Sequence, residues 1–196
     1  MKIEYIANQV RETVKKYDET DPVRLAKAMN IYLRFDHLGT APGCIKGFFA
    51  IISRIKHITI NYDLPEELQK VILAHEIGHV VLHKKEAQMS AFHELELFDN
   101  VDQKEYEANI FASELLLSNE DVIDAINEDQ FFFDAARQLC VPPEMLDFKV
   151  SAKYCYAAHE SRLHQNDRCK RFALCLVLTV RFRSLTPWGK LFQLFI

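Results

Sequence analysis

The stretch His75-Glu76-Ile77-Gly78-His79 narrows the fold and the chemistry of this chain more than any other part of the sequence. On a helix, residues four positions apart lie on one face about one turn apart, so His75 and His79 can both reach one metal ion. Glu76 is rotated roughly 100° from His75, which places its carboxylate near a water on that metal rather than on the metal itself. The pattern therefore predicts a zincin-type centre, with two imidazole ligands and a carboxylate as general base.

The sequence around this motif argues against an accidental match, which is expected in roughly a per cent of chains of this length. Asp63, Pro65 and Glu66 form a helix start signal, with a capping box predicted between Asp63 and Glu66. Residues 68–82 are apolar nearly all round, which predicts a central, buried helix. Two imidazoles and a carboxylate buried there need polar partners, which a metal supplies. Hydrogen-bonded core histidines without a metal are the alternative.

A catalytic zinc ion needs a third protein ligand and one open position. His83 continues the face of the motif, but it lies about 12 Å along the helix axis from His75, too far to share the ion. We interpret His83 as a last-turn histidine near the negative end of the helix dipole. The third ligand must therefore come from another element.

Glu105, in a second predicted helix, is the predicted third ligand. It shares a helix face with Ala108 and other small residues, which let a neighbouring helix come close. Glu107 points to the opposite side of this helix and is predicted to face solvent. The alternative for Glu105 is a capping box with Asp102 as the N-cap.

Two further roles are predicted less sharply. Asn109, one turn after Glu105, is expected to hydrogen-bond the free ring nitrogen of a ligand histidine, and a surface asparagine is the alternative. The sequence does not single out a residue that stabilises the oxyanion, and each candidate also has a structural interpretation. These candidates are Tyr62, Tyr106, His57, His83 and His93.

The order of elements predicts an α+β fold, a mainly helical minimal zincin-like domain with a small antiparallel sheet before the motif helix. The free edge of a hairpin within residues 47–61 offers a place where a substrate can add as a strand. We expect the metallopeptidase domain over residues 1–150, and a partly apolar C-terminal extension of unassigned role over 151–196. Helices are predicted at 3–17 and 22–30, and strands at 31–35, 47–52 and 57–61.

Composition bounds the class of protein. The chain has 196 residues, a net charge of −4 and a pI near 6.1, which gives no electrostatic footprint for nucleic acid. Its five cysteines are odd in number and contain no Cys-x-x-Cys pair, which suits reduced thiols. The charged start shows no secretory pattern, and no apolar stretch reaches the length of a membrane span. We therefore expect a cytoplasmic protein with no membrane or direct nucleic-acid partner.

Taken in order, these pieces resemble the ImmA/IrrE family of zinc metallopeptidases over about residues 5–150. The resemblance implies a gluzincin-like fold with one zinc ion, Glu105 as third ligand and Glu76 as general base. It also implies an endopeptidase inside bacteria or their mobile elements that cuts a specific protein, such as a helix-turn-helix repressor. The segments that carry it are Thr20-Asp21-Pro22, Ile58-Thr59-Ile60-Asn61, His75 to His83, and Glu105-x-x-Ala108-Asn109-x-Phe111-Ala112-x-Glu114-Leu115-Leu116.

A second class of function competes with catalysis. The alternative is a non-catalytic, zinc-stabilised interaction protein that binds a repressor or a toxin–antitoxin partner. Iron, cobalt or manganese can occupy similar ligands, so the ligand set alone does not select zinc.

Overall fold

The structure, a computed structural model, describes residues 3–83, 92–94, 103–126 and 132–160, without the side chains of residues 92–94 and 152–160. The chain divides into two compact units, Met1–Ala152 and Lys153–Ile196. The first unit contains the elements below except for the end of the last helix. Most of the predicted C-terminal extension lies outside the described residues.

Helices dominate the described part of the chain, which confirms the predicted α+β, mainly helical class. No helix in these ranges combines the length and the apolar character needed to cross a bilayer. The elements in order are α1 Ile3–Tyr17, α2 Pro22–Ala28, β1 Tyr32–Asp36, β2 Gly47–Ile52, β3 Ile55–Asn61, α3 Glu66–Leu82, β4 Phe92–Glu94, α4 Gln103–Leu116, α5 Asn119–Ala125, α6 Phe132–Gln138 and α7 Pro143–Glu160.

The starts of α2 and α3 show one correct capping prediction and one wrong one. The carboxylate of Asp21 accepts a hydrogen bond from the Arg24 backbone N–H at 2.9 Å, as expected of an N-cap. Helix α3 instead begins after Pro65, with no side-chain cap, so the predicted capping box is wrong. The carboxylate of Asp63 binds the loop after β1 instead, where it accepts a hydrogen bond from the Gly39 backbone N–H at 2.8 Å.

The sheet has the strand order β1-β3-β2-β4 and is mixed rather than purely antiparallel. Strands β2 and β3 form the predicted antiparallel hairpin. Its two-residue turn, Ser53 and Arg54, has φ values of 51° and 69°, the positive values typical of a type I′ turn that matches strand twist. Strand β1 runs parallel to β3. The end of β1 and the start of β2 both lie beside the end of β3, so the loop between them crosses from one side of β3 to the other at that end of the sheet.

Asn61 fixes the path of the loop between β1 and β2. Its buried side-chain amide donates to the backbone oxygens of Gly39 at 2.7 Å and Ile45 at 3.1 Å. Its side-chain oxygen accepts from the backbone N–H groups of Leu38 at 3.3 Å and Asp63 at 3.0 Å. One buried amide therefore joins both ends of the loop to the end of β3 and the start of α3.

The edge of the hairpin is less open than the sequence suggested. Strand β2 pairs with β3 along one side and with β4 along the other. The pairing with β4 covers residues 47–49, and residues 50–52 extend beyond it. The predicted free edge for an added strand is thus reduced to part of β2.

Helix α3 is the centre of the core, as its all-round apolar sequence predicted. Every residue from Val71 to Val80 is buried. The inner face of the sheet packs against it through Phe49, Ile58 and Ile60, which are completely buried. At Gly47 the sheet comes so close that a Cβ atom there would lie 2.6 Å from Ile72 Cγ2. The motif histidines are therefore carried by the most enclosed element of the described fold.

Candidate metal centre

Helices α3 and α4 cross in near backbone contact at the motif itself. A Cβ atom at Gly78 would lie 3.2 Å from Ala108 Cα and 3.2 Å from Phe111 Cβ. The hydrogen atom of glycine and the small side chain of alanine allow this approach. Glu105 lies one turn before Ala108 on α4, so the crossing brings its carboxylate to the histidines of α3.

Three side-chain donors converge at this crossing. The Nε2 atoms of His75 and His79 lie 2.9 Å apart, and Glu105 Oε2 lies 3.1 Å from His75 Nε2. The second carboxylate oxygen, Oε1, lies 3.4 Å from His79 Nε2. Zinc bonds of about 2.0–2.1 Å in a tetrahedron place neighbouring donors about 3.3 Å apart. The structure thus brings together the three predicted ligands at spacings that suit one metal ion.

Asn109 fixes the ring of His75. The two side chains are fully buried, and His75 Nδ1 lies 2.8 Å from Asn109 Oδ1. The amide oxygen can only accept, so Nδ1 carries the proton of the neutral ring and Nε2 presents a lone pair. The hydrogen bond expected from the sequence is present, and the surface alternative for Asn109 is excluded by its burial.

A separate chain of contacts fixes the ring of His79. His79 Nδ1 lies 3.1 Å from His83 Nδ1, and His83 Nε2 lies 3.0 Å from Glu107 Oε2. Glu107 is only 4% exposed, so its predicted solvent-facing position is wrong. Gln103 Nε2 donates to the other oxygen of this carboxylate at 2.9 Å. The sequence did contain a signal for this contact. His83 follows His75, Glu76 and His79 as a fourth polar side chain along a buried helix, and a buried polar side chain needs a hydrogen-bond partner on a neighbouring element.

Comparison with known proteins points to the same kind of site as the geometry of the three donors does. The family model described as the IrrE N-terminal-like domain, of the M78 peptidases, matches residues 26–151. The chain belongs to the ImmA/IrrE family. Two relatives match most of the chain. "Uncharacterized immunity region protein 2" of Bacillus phage phi105 is 35% identical over 140 residues, which cover 71% of this chain and 85% of the relative. "Metallopeptidase ImmA" of Bacillus subtilis strain 168 is 27% identical over 148 residues, which cover 74% and 84%.

Membership of the ImmA/IrrE family supports a metallopeptidase and suggests a metal ion, and the electrostatics of the cluster suit a cation. Burial lowers the pKa of His79 to about 4, so its ring is neutral and able to bind metal at pH 7. The lone pair of His75 Nε2, the Nε2 atom of His79 and the carboxylate of Glu105 face one another. The donor set therefore fits a divalent metal ion.

The remaining predicted residues of this ImmA/IrrE chain are placed as follows. Glu76 is buried on α3, next to His75 in the sequence. Among the candidates for the oxyanion, Tyr62 is exposed and lies edge-on to His37, and the ring of His57 packs on Tyr32. Tyr106 packs edge-on against Phe148, and the side chain of His93 lies outside the described residues. None of these contacts assigns the oxyanion role.

Proposed function

We propose that this chain is a cytoplasmic, zinc-dependent endopeptidase with His75, His79 and Glu105 as ligands of one zinc ion. The observation that carries this proposal is the convergence of three metal-binding donors at 2.9–3.4 Å, two on buried histidines and one on the half-buried Glu105. Two imidazoles and one carboxylate form a known catalytic zinc set that leaves one coordination position open. Family membership supports the same chemistry.

Each residue then has a distinct task in peptide hydrolysis. Bound zinc supplies Lewis-acid activation of a water molecule and of the scissile carbonyl. Glu76 accepts the proton that the attacking water loses and delivers it to the departing amine. Asn109 holds the ring of His75 in the tautomer that keeps Nε2 unprotonated. The peptide bond is thereby cleaved with one water consumed and no covalent enzyme intermediate.

For the substrate, we propose a specific regulatory protein, namely a helix-turn-helix repressor of a mobile element or a stress response. The names of the relatives support this assignment, since one is a metallopeptidase and the other an immunity-region protein of a phage. The net charge of −4 favours a protein partner over DNA as the direct target.

The deciding experiment uses Glu76→Gln, which removes the proton acceptor and leaves the proposed ligands in place. Purified wild type and variant are analysed for zinc by mass spectrometry and incubated with a purified candidate helix-turn-helix repressor, chosen by a search of the neighbouring genes. We expect one zinc per chain in both proteins and cleavage by the wild type alone. Glu67→Gln, the same chemical change at an exposed position of α3, is the matched control and should cleave normally.

Two results would count against the proposal in different ways. Cleavage of the repressor by Glu76→Gln at the wild-type rate would remove Glu76 from the mechanism. A wild-type protein that binds zinc and the repressor without cutting it would favour the non-catalytic interaction protein instead.

A further inference from the structure

We propose that His83 and Glu107 are positioning residues that fix the ring tautomer of His79 and so keep its Nε2 ready for metal. This inference rests on the proposed metal site and extends it by two residues that lie outside the ligand set. Each acts through another side chain, since Glu107 contacts His83 and His83 contacts His79.

The direction of the contacts follows from the chemistry of the carboxylate at their far end. An ionised carboxylate only accepts hydrogen bonds, so His83 Nε2 must donate to Glu107 Oε2. A neutral imidazole carries one N–H, which leaves His83 Nδ1 as an acceptor. His79 Nδ1 then donates to it across 3.1 Å. The single proton of His79 is thereby placed on Nδ1, and Nε2 is left with its lone pair facing His75 and Glu105.

The position of each member is itself constrained. Gln103 donates to Glu107 Oε1 at 2.9 Å, which directs Oε2 towards His83. At the end of α3, the backbone N–H of His83 donates to the His79 backbone oxygen at 2.9 Å. This bond fixes the backbone position from which the His83 side chain projects. The chain of contacts is therefore anchored to both helices of the crossing.

Burial makes the tautomer depend on these two residues rather than on water. His83 and Glu107 are 3% and 4% exposed, so solvent cannot readily replace a lost acceptor. Without the carboxylate, the proton of His83 can move to Nδ1 and point at His79. The proton of His79 is then driven to Nε2, where it blocks the nitrogen that the metal needs. The expected defect is weaker metal binding rather than loss of fold.

His75 and His79 are thus held by different means. A neutral amide, Asn109, orients His75, whereas an anion acting through a second imidazole orients His79. The Glu107 carboxylate polarises the His83 ring towards His79. Removing the charge of this carboxylate and removing its acceptor oxygen should therefore have separable effects on zinc affinity.

The test measures zinc affinity by competition with a chromophoric chelator in five variants besides the wild type, one of which is a control. Glu107→Met removes both acceptor oxygens, and we expect it to weaken zinc binding by about 10- to 100-fold. Glu107→Gln retains one acceptor oxygen and should recover part of that loss. His83→Phe should weaken binding to a similar degree, and the double variant His83→Phe/Glu107→Met should lose no more than His83→Phe alone.

Glu114→Gln supplies the control for an unspecific loss of stability. Glu114 lies on the same helix and its carboxylate accepts from Lys149 Nζ at 2.8 Å, so this variant should unfold more easily and still bind zinc as the wild type does. The proposal is overturned if Glu107→Met binds zinc within twofold of the wild type. It is equally overturned if Glu107→Met, Glu107→Gln and Glu114→Gln weaken binding alike. A wild-type chain that binds no zinc would instead contradict the proposed metal site itself.

Discussion

Gly78 and Ala108 bring two helices so close that a Cβ atom at residue 78 would lie 3.2 Å from the Ala108 Cα atom. This distance is tighter than ordinary carbon–carbon contact, so α4 must shift slightly if residue 78 gains a side chain. Any such shift moves Glu105, which lies one turn away, relative to the histidines of α3. The position of the proposed metal ligand Glu105 is therefore coupled to the absence of a methyl group on the opposite helix.

The first prediction follows for Gly78→Ala. Alanine favours a helix over glycine by up to about 1 kcal/mol, and overpacking costs about 1–3 kcal/mol, so the gain offsets only part of the cost and the free energy of unfolding should fall modestly. Zinc affinity should fall, because it depends on the position of Glu105, and it should fall further for Gly78→Val. Chelator competition and thermal unfolding measure the two quantities separately. Unchanged zinc affinity in Gly78→Val would contradict the coupling.

The second prediction concerns Glu105→Gln and separates metal binding from folding. We expect zinc binding to be lost or greatly weakened, because an amide is a poor ligand compared with a carboxylate. The metal-free variant should nevertheless be at least as stable as the metal-free wild type, since the new N–H group can donate to the lone pairs of His75 and His79. Chemical denaturation in the presence of a chelator measures this, with Glu67→Gln as the control. A clear destabilisation would contradict the view that the site consists of converging acceptors.

The third prediction is the pH dependence of the metal-free protein. The folded pKa of His79, about 4, lies below its ordinary value of about 6.5, so the unfolded chain takes up the proton first as the pH falls. Stability is then lost between pH 6.5 and 4, by about 2 kcal/mol between pH 7 and pH 5. Urea denaturation at several pH values measures the slope, and His79→Gln should flatten it between pH 7 and 5.

The fourth prediction concerns the ion pair between α7 and α4. Lys149 is 3% exposed and its ammonium donates to Glu114 at 2.8 Å. Glu114→Gln leaves a buried cation without its anion and should lower the free energy of unfolding by about 3 kcal/mol. The double variant Lys149→Met/Glu114→Gln should recover most of that loss. Thermal unfolding tests this pair of outcomes, and a double variant as unstable as the single one would assign the loss to packing instead.

The parts of the fold that could be predicted from the sequence are those set by local periodicity. The spacing of apolar residues in α1, the hairpin of β2 and β3 and the all-apolar α3 each depend on neighbours in the chain. The parallel pairing of β1 with β3 and the pairing of β4 with β2 depend on partners far away in sequence. Asp63 shows the same limit at one residue, since it had the spacing of a helix cap while its carboxylate is held by the loop at Gly39.

The candidate site divides in the same way. Helical geometry gives Glu105 and Glu107 different directions on α4, and the structure places the Glu105 carboxylate at His75 and His79 and the Glu107 carboxylate at His83. Helical geometry does not show which sides are covered, and α4 is in fact buried continuously from Glu107 to Ser113. His83 was assigned to the helix end by its position along the axis. Its contact with Glu107 depends on the crossing of two helices, which one-dimensional spacing does not contain.

The lone pairs that meet between α3 and α4 have a consequence for the supply of active protein. A metal ion that binds only the folded chain stabilises the fold more as its free concentration rises. Without the ion, the ring lone pairs and the carboxylate of the site face one another. With zinc as the proposed occupant, the folded fraction of newly made chains rises and falls with zinc availability. A chain made under zinc starvation would unfold more often and be degraded sooner, so the cell's metal status would limit how long the protein persists.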